Sequence, residues 1–320
     1  MMRTGNIGYG KLLTVVLSMV LLAGCSEFIE PAITDSKVVL RAPVNGAETK
    51  DYAQTFWWEA IDDALSYHLQ VVTPDFDHTV KLVLDTLVTG TRFSFSLDPG
   101  SYEWRIRAKN GSSATAYAVA AFTVYPGSIT TQQVQLQSPA NATLSNLNTA
   151  QFKWMRLYGA TKYRLEIDTN NFADENSLYL DHTTVNLDYA LTFTREKTYQ
   201  WRVKGQNDTA ESKWSPIQTI TYDATPPPVV VLSVPQDNAS VSKPVTLSWS
   251  AAATAKKYMV YVYKNNGSVL YNGNYPLTTT TLSSVFNLGI SGEKVYWEVR
   301  AVDDAGNTSA AGELRSFTIL

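Results

Sequence analysis

Tyr102-Glu103-Trp104-Arg105-Ile106-Arg107-Ala108 is the stretch that decides the fold. Its apolar side chains fall on every second residue, with charge between them, which is the pattern of a strand with one face in a core and one in solvent. The alternation returns as Tyr199-Gln200-Trp201-Arg202-Val203-Lys204 and again as Val295-Tyr296-Trp297-Glu298-Val299-Arg300-Ala301. Working outward from each copy, other landmarks keep step. Pro43, Pro139 and Pro235 are spaced by 96 and 96 residues, and Trp58, Trp154 and Trp249 by 96 and 95. Tyr67, Tyr163 and Tyr258 each follow those tryptophans by nine residues, and Phe122, Ile220 and Phe317 close the units. The chain is a threefold repeat of about 95 residues, the size of one sandwich domain.

Strand alternation fills each repeat. Phe56 and Trp58, Phe152 and Trp154, and Leu247 and Trp249 point one way. Tyr67-x-Leu69-x-Val71, Tyr163-x-Leu165-x-Ile167 and Tyr258-x-Val260-x-Val262 give the next inward rows. No stretch after the leader sustains a helical period, so the expected class is all-β: three tandem antiparallel β-sandwiches. The early Trp, the Tyr nine residues on, and the Tyr102–Ala108 motif resemble fibronectin type III domains of the prokaryotic kind. Trp214-Ser215-Pro216 stands where that family often carries a Trp-Ser element. The third repeat, with Ala301-Val302-Asp303-Asp304-Ala305-Gly306-Asn307 after Asp223-Ala224-Thr225-Pro226-Pro227, looks more like bacterial immunoglobulin-like domains. The expected domains are 37–126, 133–223 and 229–320. Pro126 to Gln132 reads as a polar, flexible connector. Pro226 to Pro228 favour a semi-rigid spacing between the second and third domains. Three sandwiches in line would reach on the order of 100 Å.

The N-terminus reads as an export signal over residues 1–24. Arg3 and Lys11 precede an apolar run, Leu12 to Ala23, broken by Thr14 and Ser18. That run is too short for a bilayer span of roughly 20 residues. Leu22-Ala23-Gly24-Cys25 resembles the lipobox of bacterial lipoproteins. The resemblance implies that Cys25 becomes the first mature residue and carries covalent lipid, with residues 25–36 as a tether and the membrane as a partner. Ser26 in place of Asp implies, by analogy, the outer membrane of the cell envelope. Cys25 is the chain's one cysteine, so no disulfide is available to the sandwiches. Loss of Arg3 and Lys11 with the leader leaves 24 cationic against 29 acidic residues, a net charge of −5. A mildly acidic chain is a poor partner for nucleic acid, which needs clustered Lys and Arg.

Catalytic patterns are missing from the sequence. His68 should face solvent from its strand, and His78 and His182 fall in different domains beside Asp77 and Asp181, so no metal-ligand spacing forms. There is no Gly-x-Ser-x-Gly elbow and no glycine-rich phosphate loop. Asp62-Asp63, Asp174-Glu175 and Asp303-Asp304 fall between strands, where Asp caps turns; Asp303, Asp304 and Asn307 also leave a calcium reading open. Asp85-Thr86-Leu87 and Asp208-Thr209-Ala210 resemble an O-glycosylation consensus of exported bacterial proteins. No catalytic residue, metal or non-covalent cofactor is expected. The repeat-breaking aromatics are the candidate ligand residues: Trp57, and in the third repeat Tyr261, Tyr263 and Tyr296, where the second carries Glu166, Asp168 and Gln200. Such a face could stack sugar rings, contact a protein, or only stabilise its own sheet. The expected function is a non-catalytic envelope lipoprotein that binds polysaccharide or an envelope protein. Its alternative is a structural spacer or assembly subunit.

Overall fold

Period-two patterning becomes strands throughout the computed structural model, which describes residues 30–264 and 267–320. The expected export signal and lipid-bearing Cys25 lie outside the described residues. Among those described, no helix is long and apolar enough to cross a membrane. The chain divides after Pro126 into two compact units, the second running from Gly127 to Leu320.

The first unit holds one sandwich, of β1 (Leu40–Ala42), β2 (Ala47–Thr49), β3 (Ala53–Trp58), β4 (Ser66–Thr73), β5 (Lys81–Val88), β6 (Arg92–Ser96), β7 (Gly100–Lys109) and β8 (Ala118–Val124). Its sheets are β1-β3-β6 and β2-β8-β7-β4-β5.

The second unit holds two sandwiches. One contains β9 (Leu136–Ser138), β10 (Thr143–Ser145), β11 (Thr149–Trp154), β12 (Lys162–Asp168), β13 (Leu180–Thr184), β14 (Asp188–Thr192), β15 (Lys197–Gln206) and β16 (Gln218–Tyr222). The other contains β17 (Leu232–Val234), β18 (Ala239–Val241), β19 (Val245–Trp249), β20 (Lys257–Lys264), β21 (Val269–Leu270), β22 (Leu277–Thr279), β23 (Ser283–Phe286), β24 (Lys294–Val302) and β25 (Arg315–Ile319). Their sheets repeat the first topology, as β14-β11-β9 with β10-β16-β15-β12-β13, and β17-β19-β23 with β18-β25-β24-β20-β21.

All-β tandem sandwiches are therefore what the chain forms. The pairing is antiparallel with one regular exception. In each sandwich the opening strand breaks at Pro43, Pro139 or Pro235, each after a cis peptide bond. Its second half crosses to the other sheet and runs parallel to the last strand: β2 with β8, β10 with β16, β18 with β25.

The repeated landmarks are core. Trp58, Trp104, Trp154, Trp201, Trp249 and Trp297 are all at most 3 % exposed. Phe56 meets Trp104 edge-on at 5.2 Å and Phe152 meets Trp201 at 5.0 Å. Truncating one such ring to Ala costs about 3–5 kcal/mol. The tyrosine nine residues after each early tryptophan has a polar task as well. Its hydroxyl accepts the backbone N–H of Ile61, Leu157 or Ala252 at 2.9, 2.9 and 3.1 Å. Tyr102 and Tyr199 donate to the carbonyls of Asp98 and Arg195, each at 2.8 Å, the tyrosine-corner bond of such sandwiches. Val295 stands there in the third, so that bond is missing.

Parts of the expected connectors and tether make defined local contacts. Ile129–Thr131 forms a 3₁₀ turn with Ile129 buried. Of the expected tether, residues 30–33 lie on the β7–β8 loop: Asn110 donates to the Pro31 carbonyl at 2.8 Å, and the Ile33 N–H to Ser113 at 3.0 Å. Asn307 donates to the carbonyl of Asp223 at 2.8 Å, tying the third sandwich to the residues that lead into it.

Candidate functional site

The outward side of the third sandwich's larger sheet carries the candidate tyrosines. Alternation sends Tyr258, Val260 and Val262 into the core and leaves Met259, Tyr261 and Tyr263 outside on β20. On β24, Tyr296, Glu298 and Arg300 face the same way, opposite Tyr263, Tyr261 and Met259. Three of the predicted residues thus share one face. Trp57 does not join them. It lies on β3 in the other compact unit, 39 % exposed, with the Arg92 guanidinium 4.5 Å over its ring.

The face is knitted together. The Tyr261 and Tyr263 rings lie within 13° of parallel, 6.1 Å apart, and the Arg300 guanidinium sits 4.8 Å over Tyr261. Glu298 is 5 % exposed and takes Nε and Nη2 of Arg300 at 3.1 and 2.7 Å, plus the Tyr263 hydroxyl at 3.1 Å. Burial, and next the Glu298 charge, push the Tyr263 phenol up to about 12. The same Glu298 bond raises the Arg300 guanidinium. Tyr261, Tyr263 and Tyr296 are each partly exposed. Tyr271 and Tyr275 pack against the core instead, Tyr271 meeting Phe286 edge-on at 5.0 Å.

The sequence reading missed that each of the other two sandwiches also covers this face with a stack of cations and rings. In the second, the Arg202 guanidinium lies 4.1 Å from Phe172 and 4.3 Å from Trp214, and the Lys204 ammonium lies 4.7 Å from Trp214. Glu166, 1 % exposed, holds Arg202 at 2.7 Å and Arg164 at 3.1 Å. In the first, Arg105 sits between Phe76 at 4.0 Å and Tyr117 at 4.4 Å, with Arg107 4.7 Å from Tyr117. The signal was present: Arg105, Arg107, Arg202 and Lys204 alternate with the core residues of the very motif that decides the fold. Ser215, next to Trp214, is fixed on Val203: its N–H donates to the Val203 carbonyl at 2.9 Å and its Oγ accepts the Val203 N–H at 3.0 Å.

The histidines and acids find local partners. His68 is on the outward face as expected, but it is not left to water. Its Nε2 meets Asp85 at 2.6 Å and its Nδ1 the Tyr117 hydroxyl at 2.7 Å. That bond to His68 is the first cause holding the Asp85 carboxyl below its usual range. His78 pairs with Asp75 at 3.0 Å, and His182 packs on Tyr189. Asp174 caps the N–H of Asn176 at 3.0 Å, while Glu175 pairs with Arg202 at 3.0 Å. Asp303 spends both oxygens on Asn307, at 2.8 and 3.0 Å, and Asp304 pairs with Lys256 at 3.4 Å. Among the described residues no group of three or more His, Cys, Asp or Glu could hold a metal. Thr209 is exposed in a tight turn, and Thr86 is half-buried on β5.

No protein-family model matches the chain, and no curated protein matches it. Among solved structures, the chain is similar to the FN1–FN3 domains of chicken CNTN1, with 15 % identity and a TM-score of 0.41 over 88 % of this chain and 97 % of that one. It is also similar to the fibronectin(III)-like modules of Clostridium thermocellum CbhA, with 13 % identity and a TM-score of 0.39 over 58 % of this chain and 93 % of that one. What the three sandwiches share with one another is one strand order with a split opening strand.

Proposed function

We propose that this chain is a non-catalytic lipoprotein of the bacterial outer membrane, anchored through Cys25, whose tandem sandwiches present a contact face to a glycan or an envelope protein. The observation that carries this reading is the outer face of β20 and β24. There Met259, Tyr261, Tyr263 and Tyr296 replace His68, Gln70, Val72 and Glu103 of the first repeat. Tyrosine pairs an apolar body with a polar tip, which suits a partly wet contact. The stacking of Tyr261 on Tyr263 leaves their outer ring edges, beside the partly exposed Tyr296, as the parts a partner would meet.

Three alanines, at Tyr261, Tyr263 and Tyr296, test it. Retardation of the chain in polysaccharide gels, or its co-purification with an envelope complex, should be lost while the fold persists. Unchanged retention by a folded variant removes the face from consideration. Acylation is tested separately: Cys25→Ser should abolish incorporation of labelled fatty acid, and a labelled Cys25→Ser chain would overturn the anchor.

The competing reading, a spacer without a ligand, is favoured by one observation. The Tyr263–Tyr261–Arg300 stack occupies the place where the other two sandwiches carry their own stacks. A spacer would co-purify with its complex through any of its faces, with no dependence on the tyrosines.

A further inference from the structure

The middle sandwich neutralises Arg202 and Lys204 of β15, and the third neutralises Arg300 of β24. Arg202 is paired with Glu166 and Glu175, Lys204 with Glu211, and Arg300 with Glu298. The first sandwich does not. On β7, Arg105 donates to Gln70 at 2.9 Å, but Arg107 and Lys109 have no acidic partner among the described residues. Two substitutions between repeats account for this: Gln70 stands where the middle sandwich has Glu166, and Ala114 where it has Glu211. Glu211 bridges to Gln206 in the middle sandwich, and the same bridge in the first joins Lys109 to Ala114. The acid that would answer these cations has become a methyl group.

Beside them lies an open depression of about 330 Å³, lined by His68, Asp85, Thr86, Leu87, Arg107 and Lys109. Arg107 Nε is buried and has no hydrogen-bond acceptor. The Asp85 carboxylate faces the same depression with its oxygens on His68 at 2.6 Å and Gln70 at 3.0 Å, and a carboxylate has about four acceptor sites. A polyanion would meet Asp85 as a like charge. A ring with a single carboxylate and several hydroxyls meets Arg107, Lys109 and Asp85 each with its complement.

We infer that this depression is a subsite for a sugar acid, the carboxylate resting on Arg107 and Lys109 and a ring hydroxyl donating to Asp85. The subsite belongs to the first sandwich and stands or falls independently of the tyrosine face on the third.

The test titrates the full-length chain in detergent with glucuronate, glucose and inorganic phosphate, followed by calorimetry and by backbone NMR shifts of β5 and β7. Glucuronate should bind saturably, and glucose and phosphate at least about tenfold more weakly. Ala114→Glu restores the acid of the middle repeat without touching the ring stack. It should weaken glucuronate about tenfold or more at unchanged melting temperature. Arg107→Gln should also weaken glucuronate about tenfold or more. Equal affinity in wild type and Ala114→Glu, phosphate binding as tight as glucuronate, or no saturable glucuronate binding would each overturn the inference.

Discussion

Replacing Trp214 with alanine isolates what the cation–ring stack contributes to the middle sandwich. The ring lies between Arg202 at 4.3 Å and Lys204 at 4.7 Å, with Arg164 farther off at 5.9 Å. The Arg202 and Lys204 side chains are each only 12 % exposed. Cation–ring contacts contribute about 0.5–1 kcal/mol when exposed and about 2 when drawn out of water. Two largely desolvated contacts give an expected loss of about 3 kcal/mol for Trp214→Ala. Trp214→Phe keeps a weaker π face and should lose about 1 kcal/mol, while Trp214→Leu keeps apolar bulk and no π face and should lose more than Phe. Trp57→Ala is the control. One arginine covers its half-open ring, so the expected loss is below about 1 kcal/mol. Native-state hydrogen exchange is the suitable assay, because amides of β15 report the middle sandwich and amides of β3 the first, each on its own scale. Trp214→Leu no worse than Trp214→Phe would refute the reasoning, for the ring would then be only an apolar lid.

Three further outcomes follow from the geometry. Tyr102→Phe and Tyr199→Phe each delete one hydroxyl-to-carbonyl bond of 2.8 Å, so each should cost about 1 kcal/mol, additively because they sit in different sandwiches; urea denaturation of the double variant checks the sum. Ser215→Ala strands the buried Val203 N–H, which donates to Ser215 Oγ at 3.0 Å, and should cost about 1–3 kcal/mol with faster exchange confined to the middle sandwich. The raised phenol of Tyr263 stabilises the fold as the neutral form. Its contribution is full below the ordinary phenol value of 10.0 and is lost as pH rises through about 12. Tyrosinate absorbance should show one group titrating near that upper value, absent in Tyr263→Phe and shifted downward in Glu298→Gln. A Tyr263→Phe difference centred at the ordinary value would contradict this.

The inward half of this fold was legible because burial repeats itself. Trp58, Tyr67, Trp104 and Phe122 meet the same intersheet interior as their counterparts 95–98 residues on, so residue type and spacing return together. The split opening strand was not legible. The landmark prolines mark the crossing, but nothing in the local alternation says that Ala47–Thr49 leaves its first sheet to run parallel to β8. The outward stacks were hidden for a different reason. Phe76, Arg105 and Tyr117 come from a loop, a strand and a strand lead-in, and only cross-strand register makes them neighbours. His68 shows the same limit: alternation gave its face correctly, while Asp85 and Tyr117, which occupy its ring nitrogens, lie 17 and 49 residues away.

That difference bears directly on the tyrosines of the third sandwich. At the position of Tyr117 and Trp214 the third repeat has Ala311, with the flanking hydroxyls Thr115, Ser212 and Ser309 all accepting the equivalent β7, β15 or β24 amide. The ring that covers Arg107 or Lys204 from the last loop is therefore missing over Arg300. Tyr261 supplies it from β20, 4.8 Å away, and Tyr263 extends the stack. An excess of outward tyrosine is thus what internal compensation produces, and also what a contact face needs. Tyr296 separates the two. It lies on β24 across from Tyr263, partly exposed, with Lys294 5.5 Å from its ring. Compensation alone makes Tyr261→Ala costly to stability and leaves retention by a folded Tyr296→Ala variant unchanged. A contact face makes the folded Tyr296→Ala variant lose retention, because that ring gives up partner contact while the Tyr261–Arg300 pair stays in place.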